Sequence, residues 1–318
     1  MKHSTALKKY VELMTVQGCS ESTIINQKIR MNRFFDFIKE KGVTATEAIT
    51  IKELNEYQIH LYYMITRYGT PMTVESQITY LSAVLSFYKA LTRAKILLHN
   101  PALDLELPRR KKKLPEHCYS NKDLQRIYSG IDEASVYGYQ FRTMLEVLAS
   151  TGVRVTELCN IRLNELDLED GFLTVKQGKG KKDRKIPMGL TACAYCKEFI
   201  EKVRPLLVKS VTGDHLFITK QGRAYDRYSV AKKMEYLREK ISFKKPLTCK
   251  IFRVTVATSM LRANCSPREV MDMLGHSDLR TLEHYLAVVK KDLKKTHRRS
   301  LDKRLPKSDT HFNDLDFF

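Results

Sequence analysis

Apolar positions in the first hundred residues recur at helical spacing. Ile24, Met31, Phe34, Phe35 and Ile38 share one face of a segment that Ser20 or Ser22 can cap and Gly42 can end. A second stripe, Ile51, Leu54, Ile59, Tyr62 and Tyr63, predicts a helix over about 51–67, broken by Gly69-Thr70-Pro71. Behind Thr73, the positions Val74, Ile78, Leu81, Leu85 and Tyr88 mark the clearest amphipathic helix of this half. Lys28, Arg30, Arg33, Gln77, Thr79, Ser82 and Lys89 lie between the stripes. Each suits either a solvated face or contact with phosphates and base edges.

The pattern changes at Asn100-Pro101. Pro108-Arg109-Arg110-Lys111-Lys112-Lys113-Leu114-Pro115 sets five cations between two prolines, an extended and self-repelling stretch. It reads as a strap along a polyanion backbone or, more plainly, as a solvated spacer. Ser120 then opens a helical region reaching Ser150, with Phe141, Leu145 and Leu148 as core positions. Phe172-Leu173-Thr174-Val175 and Arg184-Lys185-Ile186-Pro187-Met188 read as strands joined by the hairpin Gln177-Gly178-Lys179-Gly180-Lys181-Lys182-Asp183. Leu216-Phe217-Ile218-Thr219 predicts one more short strand, and Arg227–Lys240 a basic helix. The expected fold is therefore mainly α with a small β-hairpin, of the α+β class.

Charge narrows the partner. A formal net charge of +20 on 318 residues points to a polyanion. With 43% hydrophobic residues, 16 Tyr and 13 Phe, the chain is expected to fold. No run of 18 apolar residues is present, and Met1-Lys2-His3-Ser4 leads into a mixed amphipathic segment, so a cytoplasmic protein without membrane contact is expected. The seven cysteines are odd in number and scattered, which fits reduced thiols. Cys193-Ala194-Tyr195-Cys196 is a lone CxxC whose thiols pack on a helix in the plainer reading.

Some residue types at particular places invite chemistry. Arg154 follows a glycine turn at the head of a helix, a place that favours an anion, and Glu157 can orient its guanidinium. Lys179 sits on a glycine-rich hairpin that lacks the spacing of a nucleotide-binding P-loop. Lys250 and Arg253 lie one turn apart, with Val256, Met260 and Leu261 behind them. Near the end, Ser266-Pro267-Arg268-Glu269 can start a helix that Gly275 ends, placing His276 on a turn and Tyr285 on the next helix. Taken singly, each has a bland reading: a satisfied His, a half-buried Tyr, a solvated Lys.

In combination they closely resemble the tyrosine recombinase (phage-integrase) superfamily, its Xer-type and transposon-borne members above all. Thr151-Gly152-Val153-Arg154-x-x-Glu157-Leu158, Gly178-Lys179-Gly180, Lys250-x-x-Arg253, and Leu274-Gly275-His276 with Tyr285 carry the resemblance, which covers nearly the whole chain. It implies a helical core-binding domain over 1–107, a basic linker over 108–118, and a catalytic domain over 119–318 with a tail from about 290. It implies a site-specific recombinase that breaks and rejoins DNA through a 3′-phosphotyrosine and a Holliday junction, whether in integration, transposon movement or dimer resolution. Tyr285 is then the nucleophile, Arg154, Arg253 and His276 donors to the scissile phosphate, and Lys179 the general acid. Glu157 is a supporting residue. DNA contacts are expected from Arg109, Arg110, Lys111, Lys112, Lys113, Lys181 and Lys182, and no metal or cofactor is implied. Expected partners are double-stranded DNA with specific sites, further copies or a related recombinase in a tetramer, and a protein at the acidic, apolar tail; the expected location is the nucleoid. His284 is expected to be structural. One departure stands out: the family usually carries His where this chain has Lys250, as type IB topoisomerases can. Two rival readings follow, a topoisomerase-like relaxing enzyme and a non-catalytic DNA-binding accessory protein.

Overall fold

Side-chain caps mark the start of most of the described helices. The computed structural model describes residues 1–110, 118–176, 183–275 and 285. The chain divides into two units, Met1–Lys112 and Lys113–Phe318.

The first unit is built from α1 (His3–Val16), α2 (Glu21–Glu40), α3 (Ile51–Tyr63) and α4 (Val74–Arg93). The hydroxyls of Ser20 and Thr73 accept the first free amides of α2 and α4, and Thr50 with Glu53 closes a capping box on α3. Inward-facing rings form the core, with Phe34 edge-on to Tyr57 and Phe87 edge-on to Tyr10 and Phe35.

Three expectations change here. Helix α3 stops at Tyr63, because Met64 turns extended and Ile65 bridges to Pro71 around the Gly69 turn. Ile59, Tyr62 and Tyr63 are exposed, so only part of the α3 stripe is core. Gln77 is buried and donates to the Met72 carbonyl, which removes it from any DNA-reading face. Lys28, Arg33 and Lys89 stay exposed, Arg33 lying over the Tyr80 ring.

The second unit begins with α5 (Asn121–Ser129), α6 (Val136–Thr151) and α7 (Val155–Asn160). A three-stranded antiparallel sheet follows in the order β1 (Leu166–Asp167), β2 (Phe172–Val175), β3 (Arg184–Pro187). Leu173 faces Ile186 and Val175 faces Arg184 across the β2–β3 pair. Residues 177–182 of the expected hairpin lie outside the described residues. Then come α8 (Leu190–Glu198), α9 (Arg227–Lys240), α10 (Cys249–Arg262) and α11 (Pro267–Leu274).

Helix α10 buries every position from Ile251 to Thr258, so it shows no one-sided apolar stripe, and α6 buries nine of its sixteen residues. Phe252 at the centre of the core meets Tyr119 edge-on. Tyr119 ties the start of this unit to α10: its amide donates to Thr255 Oγ1 at 2.8 Å and its hydroxyl to the Pro246 carbonyl at 2.8 Å.

The strand expected at 216–219 is absent. Leu216, Phe217 and Ile218 are fully buried but make only single bridges nearby, Arg162 to His215 and Ile218 to Ala224. The amides of Leu216 and Ile218 are satisfied by the Ile161 carbonyl and the Gln140 side chain instead of a ladder. A short apolar run marks burial, and burial alone does not make a strand. Cys193 and Cys196 are buried on α8, and burial pushes the Cys196 thiol up to about 12. No helix among the described residues is long and apolar enough to cross a membrane.

Candidate active site

The site is organised by the carboxyl end of α11. Ser266 and Glu269 close a capping box at its start, Pro267 takes the first position, and Gly275 ends it in a left-handed turn at φ 65°. The last carbonyls of a helix have no partner within it and carry the negative end of its dipole. Here three successive carbonyls accept from three arginines. Arg184 Nε donates to Met273 at 3.0 Å, Arg253 Nη2 to Leu274 at 2.5 Å, and Arg154 Nη2 to Gly275 at 2.9 Å.

Each arginine arrives on a different element. Arg154 caps α7 two residues after Gly152, which holds φ 61° at the end of α6. Arg253 comes from the middle of α10, and Arg184 opens β3. Both glycine turns need glycine twice over. A Cβ on Gly275 would stand 3.1 Å from the Arg184 guanidinium carbon, and one on Gly152 would stand 2.9 Å from Leu274 Cδ2.

Glu157 lies among the guanidinium groups. Its Oε1 accepts from Arg154 Nη1 at 2.8 Å and Arg184 Nη1 at 3.1 Å; its Oε2 accepts from the Arg154 amide and Arg184 Nη2, both at 2.8 Å. Burial pushes this carboxyl upward, but the Arg184 fork, the Arg154 amide and both charges outweigh it, holding it below the usual carboxylate range. Arg253 is 7% exposed, and its Nη1 donates to the Gly152 carbonyl at 2.8 Å. Burial foremost, then the charge of Arg154, lower its pKa to about 10, while Tyr285 and Glu157 act the other way. It remains a cation at neutral pH.

Tyr285 is half-buried against the small apolar cluster of Ala257, Leu261, Val270 and Leu274, formed by α10 and α11. Lys250, in the first turn of α10, is exposed and lines a groove of about 520 Å³ with Val155, Arg227, Tyr228, Met234 and Leu247. Of the expected site residues, the structure thus brings together Arg154, Glu157, Arg253 and Tyr285. Arg109 and Arg110 are exposed in the first unit. Lys111, Lys112, Lys113, Lys179, Lys181, Lys182, His276, His284 and the tail lie outside the described residues.

Arg184 was absent from the expected set. Strand alternation contained the signal, since Arg184 and Ile186 fall on the same face of β3 and Ile186 is fully buried. An arginine at an inward position needs a partner inside.

The description Phage integrase family matches residues 119–292, more than half of the chain. Tyrosine recombinase XerC 2 of Ralstonia nicotianae is 32% identical over 303 residues, covering 95% of this chain and 87% of that protein. The crystal structure of XerA recombinase is 26% identical and superposes with a TM-score of 0.51, covering 93% of this chain and 99% of the other. A lambda integrase tetramer bound to a Holliday junction shares the fold at TM-score 0.67 and 17% identity, covering 90% of this chain and 77% of the other. The arginines gathered on α11 thus sit in a catalytic fold already known by family, and the chain belongs to the phage integrase family as a tyrosine-type site-specific recombinase.

Proposed function

We propose that this chain recombines double-stranded DNA at specific sites as a tetramer, exchanging strands through a Holliday junction, with Tyr285 as nucleophile. Residues 1–107 grip the duplex, 108–118 follow its backbone with Arg109, Arg110 and the lysines after them, and 119–318 carry the chemistry. The observation that carries the reading is the convergence of Arg154 and Arg253 on the end of α11, with Glu157 bonded to Arg154 and Tyr285 packed against the same helix.

In this reading the Tyr285 oxygen attacks phosphorus and the bond to the 5′-oxygen breaks. A 3′-phosphotyrosine and a free 5′-hydroxyl result, and the covalent bond conserves the energy needed to rejoin. Charge grows on the non-bridging oxygens in the transition state. Arg154 and Arg253 are already fixed by carbonyls and Glu157, so they need little reorganisation to meet it. His276 adds a donor and Lys179 gives a proton to the departing oxygen. Lys250, exposed in the first turn of α10, serves as a further hydrogen-bond donor.

Tyr285→Phe tests the nucleophile. The variant keeps the ring, so DNA binding persists and the denaturant-resistant protein–DNA adduct disappears. An adduct that survives in this variant places the nucleophile on another tyrosine.

A further inference from the structure

We propose that Arg184 is a positioning residue for strand cleavage, holding Glu157 and the carboxyl end of α11 in one grip and thereby aiming the Arg154 guanidinium. The inference rests on the reading above, in which Arg154 holds the scissile phosphate.

The geometry is that of a two-sided clamp. Each oxygen of Glu157 accepts one bond from Arg154 and one from Arg184, so the carboxylate can neither rotate nor slide without breaking bonds to both. The third side of the Arg184 fork reaches the Met273 carbonyl, and Arg154 reaches the carbonyl of Gly275, two residues on. Glu157 and the end of α11 are therefore each held by the same two arginines. The arrangement is enclosed: the Arg184 side chain is 10% exposed and that of Glu157 is 8% exposed. A Cβ on residue 275 would stand only 3.1 Å from the guanidinium carbon, so the Gly275 turn lies tight against Arg184.

Lysine cannot replace this residue, because one ammonium cannot bond both carboxylate oxygens and a carbonyl in the plane of a rigid fork. Position in the chain adds a second consequence. Arg184 is the first residue of β3, and Lys179 falls in the sequence between β2 and β3. One side chain thus links the strand that follows the proposed acid in sequence to the helix end that precedes His276 in sequence.

The test is single-turnover cleavage of a nicked DNA that traps the covalent adduct. Arg184→Met is expected to cleave about 100-fold more slowly, the scale of a misplaced catalytic group, with DNA affinity kept within about twofold. Arg184→Lys is expected to fall between it and the wild type. Because the effect runs through Glu157, Arg184→Met combined with Glu157→Gln is expected to be no slower than Glu157→Gln alone.

A pH profile supplies a readout that packing would not move. Glu157 faces Arg154 at the head of α7, Arg184 on β3 and, through charge alone, Arg253 on α10. Without Arg184 the carboxyl loses its strongest stabilising partner and takes up a proton more readily. The Arg184→Met rate then declines from about pH 8 to about pH 5 more steeply than the wild-type rate. Wild-type cleavage by Arg184→Met, additive losses in the double variant, or parallel pH profiles each overturn the proposal. If Arg184→Met unfolds, Arg184→Lys decides: a lower rate at an unchanged melting temperature supports the role, and a wild-type rate overturns it. Tyr285→Phe assayed alongside separates the two claims. A persistent adduct there refutes the underlying reading, whereas its loss beside fully active Arg184 variants refutes only the role of Arg184.

Discussion

Arg253 and Lys250 stand three residues apart on α10 and meet opposite surroundings. Arg253 is almost fully buried, its fork shared between the carbonyls of Gly152 and Leu274. Lys250 lies exposed at the mouth of an apolar groove, with Arg227 and Lys232 on the same rim. The contrast follows from the two head groups. A guanidinium is planar, weakly hydrated and able to satisfy several acceptors at once, so it can be buried where carbonyls are orphaned. An ammonium holds its water more tightly and stays outside. Arg204 shows that the interior use of arginine is general in this unit, since it joins the carbonyls of Gly213 and His215 in the same manner. Burial alone therefore does not mark a functional arginine. What sets Arg154, Arg184 and Arg253 apart is their convergence on one helix end, with Arg154 and Arg184 also sharing the Glu157 carboxylate.

The largest effect is expected where that difference is erased. Arg253→Ala removes the donor proposed for the transition state and leaves the Gly152 and Leu274 carbonyls without it. Cleavage should fall by about 1000-fold or more, the scale of a lost electrostatic donor. Stability should fall too, by roughly 1–3 kcal/mol for each buried carbonyl left unpaired. Calorimetry beside the cleavage assay checks both, and an unchanged melting temperature would show that these carbonyls find water instead.

A smaller loss is expected at the turn itself. Gly275→Ala forces an L side chain into the left-handed region at a cost of about 1–2 kcal/mol. Its methyl would also press on the Arg184 guanidinium. Cleavage should drop toward the level of the Arg184 variants. Full activity with only a lowered melting temperature would mean that Arg184 yields without disturbing Glu157.

Much of this arrangement was legible in the sequence. Ser266, Pro267, Glu269 and Gly275 announced both ends of α11 through local rules, and Gly152 before Arg154 did the same for α7. Local chemistry also placed the caps Ser20, Thr73 and Ser120. Two kinds of feature escaped. Residues 216–218 looked like a strand because an apolar run reports burial and is silent on pairing partners. Arg184 was overlooked because its partners, Glu157 and Met273, are 27 and 89 residues away, and only the folded chain brings them together. Gln77 failed in the opposite sense: a polar residue beside a stripe was read as outward, yet its amide satisfies a buried carbonyl.

The smallest effect is expected at Lys250. Its side chain is exposed, so Lys250→Ala should leave the melting temperature unchanged and slow cleavage by only about 10-fold, one donor being lost while two arginine forks remain. Substitution by His sharpens the question of its role. If position 250 needs only a hydrogen-bond donor, Lys250→His keeps much of the activity at neutral pH. It also gains a rate dependence near pH 6.5, where an ordinary imidazole exchanges its proton. A base that deprotonates Tyr285 would behave otherwise, because it must be neutral to act. The wild-type rate would then climb with pH, and the climb would vanish in Lys250→Ala. Single-turnover rates for the three proteins from about pH 6 to about pH 9 separate the cases. A flat wild-type profile fits the solvated setting of Lys250. A rising profile that disappears in Lys250→Ala would place this lysine among the proton-transfer groups and end the contrast with Arg253.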